Sequence, residues 1–238
     1  MSAHSTTQPL PVRTHLTVLR DGRTSSSNTV FCEAEERTMP LSRCATCGFG
    51  GAVTRDPRGN AVTVACTRFT LPSVPPPDES GTTLRLPPTH AGAIAGVAAS
   101  LPVGLALTRA ITRVRYDAPL DVAMRVLTTE PSAFGLPVVD ESGRFIGILT
   151  RASAALALTD PDGSQARVAG RMAVPTSTID ERASLDVAFA MMTQRRAREL
   201  TVISESGQVV GTLRDVDALR FVAYVSRTGL RPPREHAA

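Results

Sequence analysis

Lysine and tryptophan are missing from this 238-residue chain, tyrosine occurs twice, and aromatic residues make up 4% of it. All 26 basic residues are therefore arginine, set against 22 acids for a formal net charge of +4. Residues 1–107 hold 9 Arg and 7 acids, so the excess of +4 divides evenly and neither half concentrates a basic footprint. Scarce aromatics also remove the stacking platform on which single strands are held. Both observations argue against nucleic acid as a partner. Histidine is confined to His4, His15, His90 and His236, all in stretches that read as tails or linker, so no imidazole is placed to serve as a general base and no enzyme is expected. The uncharged stretch from Ala91 to Leu107 is rich in Ala and Gly, contains Pro102 and falls short of the roughly 20 residues a bilayer demands. It reads as an entry helix, with no membrane span. Met1 to Asn28 has no apolar run of the kind a secretory signal needs and reads as a polar, disordered tail, which implies a cytoplasmic protein.

What the chain does have is a second half written twice. Val103 to Leu149 recurs as Val168 to Leu213, with Pro119-Leu120-Asp121-Val122-Ala123 answered by Ser184-Leu185-Asp186-Val187-Ala188. The offset falls from 65 residues at Leu120/Leu185 to 64 at Leu136/Leu200, so one residue is lost in the intervening loop. In each copy a helical stripe comes first: Leu120, Ala123, Met124 and Leu127, then Leu185, Ala188, Phe189 and Met192, at spacings of three and four. Two β-branched runs follow, Leu136–Val139 with Phe145–Leu149 and Leu200–Ile203 with Val209–Leu213. Polar loops ending in Gly143 and Gly207 join them as hairpins. A second helix begins at Arg151 and at Asp215. Arg195, Arg196 and Arg198 read as a solvated loop before the second copy's first such run.

This arrangement resembles the cystathionine-β-synthase (CBS) domain, and two in tandem resemble the CBS pair known as the Bateman module. The resemblance covers roughly Val103 to Val225, about half the chain. It implies an α+β fold of β-α-β-β-α repeats and a module with pseudo-twofold symmetry. It further implies homodimerisation through the CBS pair, binding of an adenine nucleotide between the domains, and regulation of a protein partner, not catalysis.

The family pattern Gly-hydrophobic-hydrophobic-Thr/Ser-x-x-Asp places a hydroxyl on phosphate and a carboxylate on the ribose, where the second strand enters the second helix. Unpaired N–H groups at a helix N-terminus favour an anion there. Here the pattern is divided between the copies. Gly147-Ile148-Leu149-Thr150-Arg151-Ala152-Ser153 keeps Thr150 and substitutes Ser153 for the acid, whereas Gly211-Thr212-Leu213-Arg214-Asp215-Val216-Asp217 keeps Asp217 and substitutes Arg214 for the hydroxyl. A carboxylate can accept from two vicinal hydroxyls and a guanidinium fork suits phosphate, so the second copy is expected to be the better site. Asp215 and Asp217 also fit as first-turn acids that cap the helix.

Cysteine is sparse too, but its four residues are grouped: Cys32, Cys44, Cys47 and Cys66, spaced C-x11-C-x2-C-x18-C. Thiolates suit zinc, a CxxC turn grips one ion from a tight loop, and a segment of about 40 residues needs a staple to fold. Residues 31–68 resemble a zinc ribbon or rubredoxin-like knuckle, which implies structural zinc, with iron or disulfides as alternatives. The expected organisation is a disordered tail (1–28), a four-cysteine metal-binding module (29–70), a Pro-rich linker (71–90), CBS domain 1 (91–162), CBS domain 2 (163–226) and a C-terminal tail (227–238). The expected function is regulation by an adenine nucleotide. A zinc-module regulator that binds nucleic acid and a dimerising scaffold with degenerate ligand sites are the alternatives.

Overall fold

The computed structural model describes residues 8–67, 96–107, 111–129, 135–158, 166–173 and 177–228. The expected linker at 71–90 lies outside them. Both repeats are present, and a set of N-terminal strands is joined to them.

In the first repeat, β7 (Ile111–Arg115) leads to α3 (Leu120–Thr129), then β8 (Gly135–Val139), β9 (Phe145–Thr150) and α4 (Arg151–Leu158). The second repeats this order as β10 (Thr178–Asp180), α5 (Leu185–Arg195), β11 (Glu199–Ile203), β12 (Val209–Arg214) and α6 (Asp215–Thr228). In each, the leading strand runs parallel to the next, which forms an antiparallel hairpin with the last. The hairpin turns close as the loop chemistry requires: Gly143 and Gly207 adopt φ of +82° and +78°, and Asp140 Oδ1 accepts from the Ser142 and Arg144 amides. The helical stripes face inward, with Leu120, Ala123 and Leu127 buried in one repeat and Leu185, Ala188 and Met192 in the other.

The leading segments are exchanged. The turn of helix α2 (Val103–Ala106) opens the first repeat in sequence, yet Val103, Ala106 and Leu107 pack into the core of the second with Leu185, Leu200 and Leu213. Val168 reciprocates by entering the core of the first with Leu120, Leu136 and Leu149. Backbone bonds follow the same rule, Val103 and Gly104 donating to Ala183 and Glu181 while Val168 and Ala169 donate to Ala118 and Tyr116. The expected entry helix is not continuous. Residues 96–99 are helical, the chain breaks at Ser100–Pro102, and α2 restarts it, because Pro102 has no amide to donate and biases its predecessor away from helix.

The N-terminal region departs most from expectation. In place of a disordered tail and a separate stapled module, it forms β1 (Gln8–Pro11), β2 (Arg13–Val18), β3 (Thr24–Cys32), β4 (Arg37–Pro40), α1 (Leu41–Thr46), β5 (Gly50–Arg55) and β6 (Ala61–Cys66). β2 lies parallel to β7, His15 opposite Ile111 and Val18 opposite Val114, so β4-β3-β2-β7-β8-β9 is one six-stranded sheet. Strands β1-β6-β5 make a small antiparallel sheet beside it. The physical reason is the leading strand β7. Left at an edge it would present unpaired amides and carbonyls, and a run rich in Thr and Val satisfies them. Val18 is fully buried in the first repeat's core as a result.

Candidate functional site

Each copy of the ligand motif stands at a junction where a strand runs without a loop into a helix: Thr150 ends β9 before α4, and Arg214 ends β12 before α6. The motif glycines are explained by the exchange of leading segments. A Cβ on Gly211 would come 2.8 Å from Leu107 Cδ1, and one on Gly147 would come 2.8 Å from the Ala173 carbonyl and 2.9 Å from Met172 Sδ. Each glycine thus admits the segment that crosses from the other repeat.

In the second copy Arg214 and Asp217 are brought together. Arg214 Nε donates to Asp217 Oδ2 at 2.9 Å, and Nη2 donates to Oδ1 at 3.3 Å. The pair is half-sheltered, Asp217 being 9% exposed, and the hydrogen bond to Asp217 holds the Arg214 guanidinium above its usual pKa. Asp215 caps locally through its carboxylate to the Val216 amide at 2.7 Å. In the first copy the two hydroxyls meet: the Ser153 amide donates to Thr150 Oγ1 at 3.1 Å, and Ser153 Oγ donates to the Thr150 carbonyl at 3.0 Å. Thr150 and Ser153 thus form a helix cap, while Arg214 and Asp217 form a fork and a carboxylate able to exchange partners with an anion and a diol. Arg195 and Arg196 are exposed at the end of α5, Arg196 as a left-handed cap.

The four cysteines are all free and line a single cavity of about 650 Å³, together with Met39 and Arg43. Burial, followed by the proximity of Cys32, Cys47 and Cys66, pushes the Cys44 thiol up. Among the described residues, no group of three His, Cys, Asp or Glu side chains stands close enough to hold an ion as placed. The expected zinc-ribbon module, folded around a formed metal centre, is therefore not what the structure shows; pairing with the CBS sheet supplies the support that a metal was expected to provide.

Three buried polar residues were not singled out in the sequence. Arg13, 2% exposed on β2, donates through Nε to the Leu107 carbonyl at 2.7 Å and through Nη2 to the Gly104 carbonyl at 2.5 Å. Glu181, 1% exposed, accepts from both the amide and the hydroxyl of Thr38 on β4. His15, read as a solvated tail residue, is buried on β2 within 2.7 Å of Thr29 Oγ1. Polarity along Arg13-Thr14-His15-Leu16-Thr17-Val18 carried no signal for Arg13 and His15, since both are buried while the apolar Leu16 between His15 and Thr17 is exposed. Nothing local marks Glu181.

Two α+β units that trade leading segments and each close on a strand–helix junction make a paired repeat module. Residues 103–160 and again 169–224 match the family model described as the CBS domain, so the module is a tandem pair of CBS domains. No curated protein matches the chain. Among solved structures, the CBS domain of a CBS domain-containing membrane protein from Sphaerobacter thermophilus is 23% identical, covering 56% of this chain and 94% of its own, with a TM-score of 0.44. The CBS-pair protein CBSX2 from Arabidopsis thaliana is 21% identical over 49% of this chain and 89% of its own, with a TM-score of 0.42. The CBS domains of a transcriptional regulator from Streptococcus pneumoniae are 10% identical over 45% and 86%, with a TM-score of 0.40. No helix among the described residues is long and apolar enough to cross a membrane.

Proposed function

We propose that this protein is a non-enzymatic regulatory CBS pair that senses an adenine nucleotide at the β12–α6 junction of its second repeat. The observation that carries the reading is the Arg214–Asp217 fork at the first turn of a 14-residue helix. A phosphate would replace the carboxylate as Arg214's partner, and Asp217, released, would accept from both ribose hydroxyls. The exchange trades one charge-assisted contact for others, so opening the pair does not leave a buried charge alone. Thr150 and Ser153 can offer only neutral contacts and would add a weaker second position. The free cysteines fit a reducing, cytoplasmic setting. Exposed Val216 and Leu219 on α6 support association with a second copy.

The test is thermal unfolding with AMP, ADP, ATP or S-adenosylmethionine, each at about 1 mM, for the wild type, Asp217→Ala and Arg214→Ala. A ligand at 100 times its Kd adds about 2.7 kcal/mol of stability, and each kcal/mol raises the midpoint by roughly 2–4 °C at this size. The shift is expected in the wild type and not in either variant, each compared with its own ligand-free midpoint. One observation favours a second reading, an interaction scaffold. All four motif side chains hydrogen-bond within their own motif. That reading predicts no shift with any of the four ligands.

A further inference from the structure

We infer that the face of β2 turned toward the second repeat is an oxyanion site, in which Arg13, His15 and Arg113 hold a phosphate or the phosphoryl group of a larger ligand. None of the three belongs to either strand–helix motif, and the site does not depend on the Arg214–Asp217 reading. Strand pairing gathers them. Residues two apart on β2 share a face, so Arg13, His15 and Thr17 project together. Thr29, Ser27 and Ser25 stand opposite them on β3, and Arg113 stands opposite Thr17 on β7. Side-chain contacts follow this register. Thr29 Oγ1 lies 2.7 Å from His15 Nε2, and Arg113 donates through Nε to Thr17 Oγ1 at 2.9 Å, through Nη2 to Ser27 Oγ at 3.4 Å and through Nη1 to the Val209 carbonyl at 3.0 Å.

Two of these side chains are left incompletely satisfied. Arg13 commits Nε and Nη2 to the Leu107 and Gly104 carbonyls, while its Nη1 is buried with no hydrogen-bond partner among the described residues. His15 Nδ1 is in the same state. A buried donor without an acceptor is costly, and a buried cation without a counter-charge more so. Among the described residues neither Arg13 nor Arg113 forms an ion pair. The charge of Glu181 reaches Arg13, but the carboxylate is engaged by Thr38. Burial depresses all three basic groups, Arg13 to about 10, His15 to about 3 with the charges of Arg113 and Arg13 adding to the effect, and Arg113 below its usual value. The cluster therefore holds positive charge that the protein's own groups leave unbalanced.

An oxyanion meets these needs together. With the Thr29 hydroxyl donating to Nε2, His15 carries its proton on Nδ1 and donates it, and Arg13 Nη1 donates alongside. Both then require an acceptor, and negative charge on that acceptor relieves the repulsion among the three basic groups. Several oxygens on one centre suit donors that arrive from different side chains. The way in is along β3, where Ser25 and Ser27 are small and exposed, Ser27 lying beside Arg113 Nη2 and opposite His15.

The test uses full-length protein in phosphate-free buffer, with inorganic phosphate as the probe and sodium chloride holding the ionic strength constant. Expected are stabilisation against heat that chloride does not reproduce and a saturable shift of the His15 ring-nitrogen signals in NMR, which His15→Gln identifies by their loss. Ser27→Asp, on an exposed position where the fold is kept, sets a carboxylate at the entrance beside Arg113 and should weaken the phosphate affinity read from that shift by at least about 10-fold. Arg214→Ala should leave the His15 shift in place, which separates this site from the nucleotide site. AMP that produces the same His15 shift at lower concentration than phosphate would assign the site to the phosphoryl group of a larger ligand, and equal affinity would assign it to the free anion. His15 signals unmoved at 10-fold excess over the stabilising concentration, or a response that chloride reproduces, would overturn the site. So would a response lost in Arg214→Ala and kept in Ser27→Asp.

Discussion

His15 sits on β2 with Nδ1 buried and without a hydrogen-bond partner among the described residues. Burial, then the positive charges of Arg113 and Arg13, pushes its imidazole from an ordinary 6.5 down to about 3. The unfolded chain takes up a proton below pH 6.5 that the folded protein refuses until about pH 3. His15 therefore contributes its stability in full above 6.5 and loses it as the pH falls through that window, by up to about 1.4 kcal/mol per pH unit. Glu181 acts in the opposite sense. Burial raises its carboxyl, although the Thr38 hydrogen bonds and Arg13 pull it back, so its contribution is full below its ordinary 4.5 and declines as the pH rises. Comparison of wild type with His15→Gln isolates the imidazole. In urea unfolding at pH 7.5, 6 and 5, the stability difference between them should shift in the variant's favour as the pH falls. A difference that stays constant would mean that His15 titrates normally.

Helix α2 is held from three directions. Its backbone bonds to the second repeat, its Gly104 and the following Leu107 accept from Arg13, and Phe31 of β3 lies against it. A Cβ on Gly104 would come 2.2 Å from Phe31 Cε2, and the ring is buried and cannot simply swing away. Gly104→Ala should thus cost about 1–3 kcal/mol, as overpacking does, with the midpoint of thermal unfolding lowered and the β2–β3 amides exchanging faster with solvent. The repeat helices and hairpins were legible, because a period of 3.6 and a polar loop ending in Gly are local signals: α3, α5 and the β8–β9 and β11–β12 hairpins stand within a residue or two of expectation. The N-terminal strands were not. Residues 24–28, Thr-Ser-Ser-Ser-Asn, are polar throughout and read as a tail, yet β3 is held by β2 on one side and β4 on the other at its C-terminal half. For such a strand, pairing supplies what burial does not.

At the scale of the molecule, the parallel pairing of β2 with β7 makes residues 13–40 part of the CBS pair's own sheet. Unfolding should therefore be a single cooperative transition in calorimetry, with β2–β4 melting together with both repeats, where an N-terminal module on a free tether would melt separately. Two well-resolved transitions, the first confined to residues 8–66 by hydrogen exchange, would show the sheet to be weakly coupled. The sequence by itself determined the duplication, the order of elements within each repeat, the division of the ligand motif between Thr150/Ser153 and Arg214/Asp217, and the grouping of four cysteines. All of these are written in residues close together or in the likeness of one copy to the other. Tertiary structure alone decided which core each leading segment enters, that the N-terminal strands complete the first repeat's sheet, and that Arg13 and Glu181 are buried. Those outcomes depend on pairing and packing between residues up to about 140 positions apart, Thr38 with Glu181 among them, and periodicity along the chain carries no record of which distant edge a strand will join.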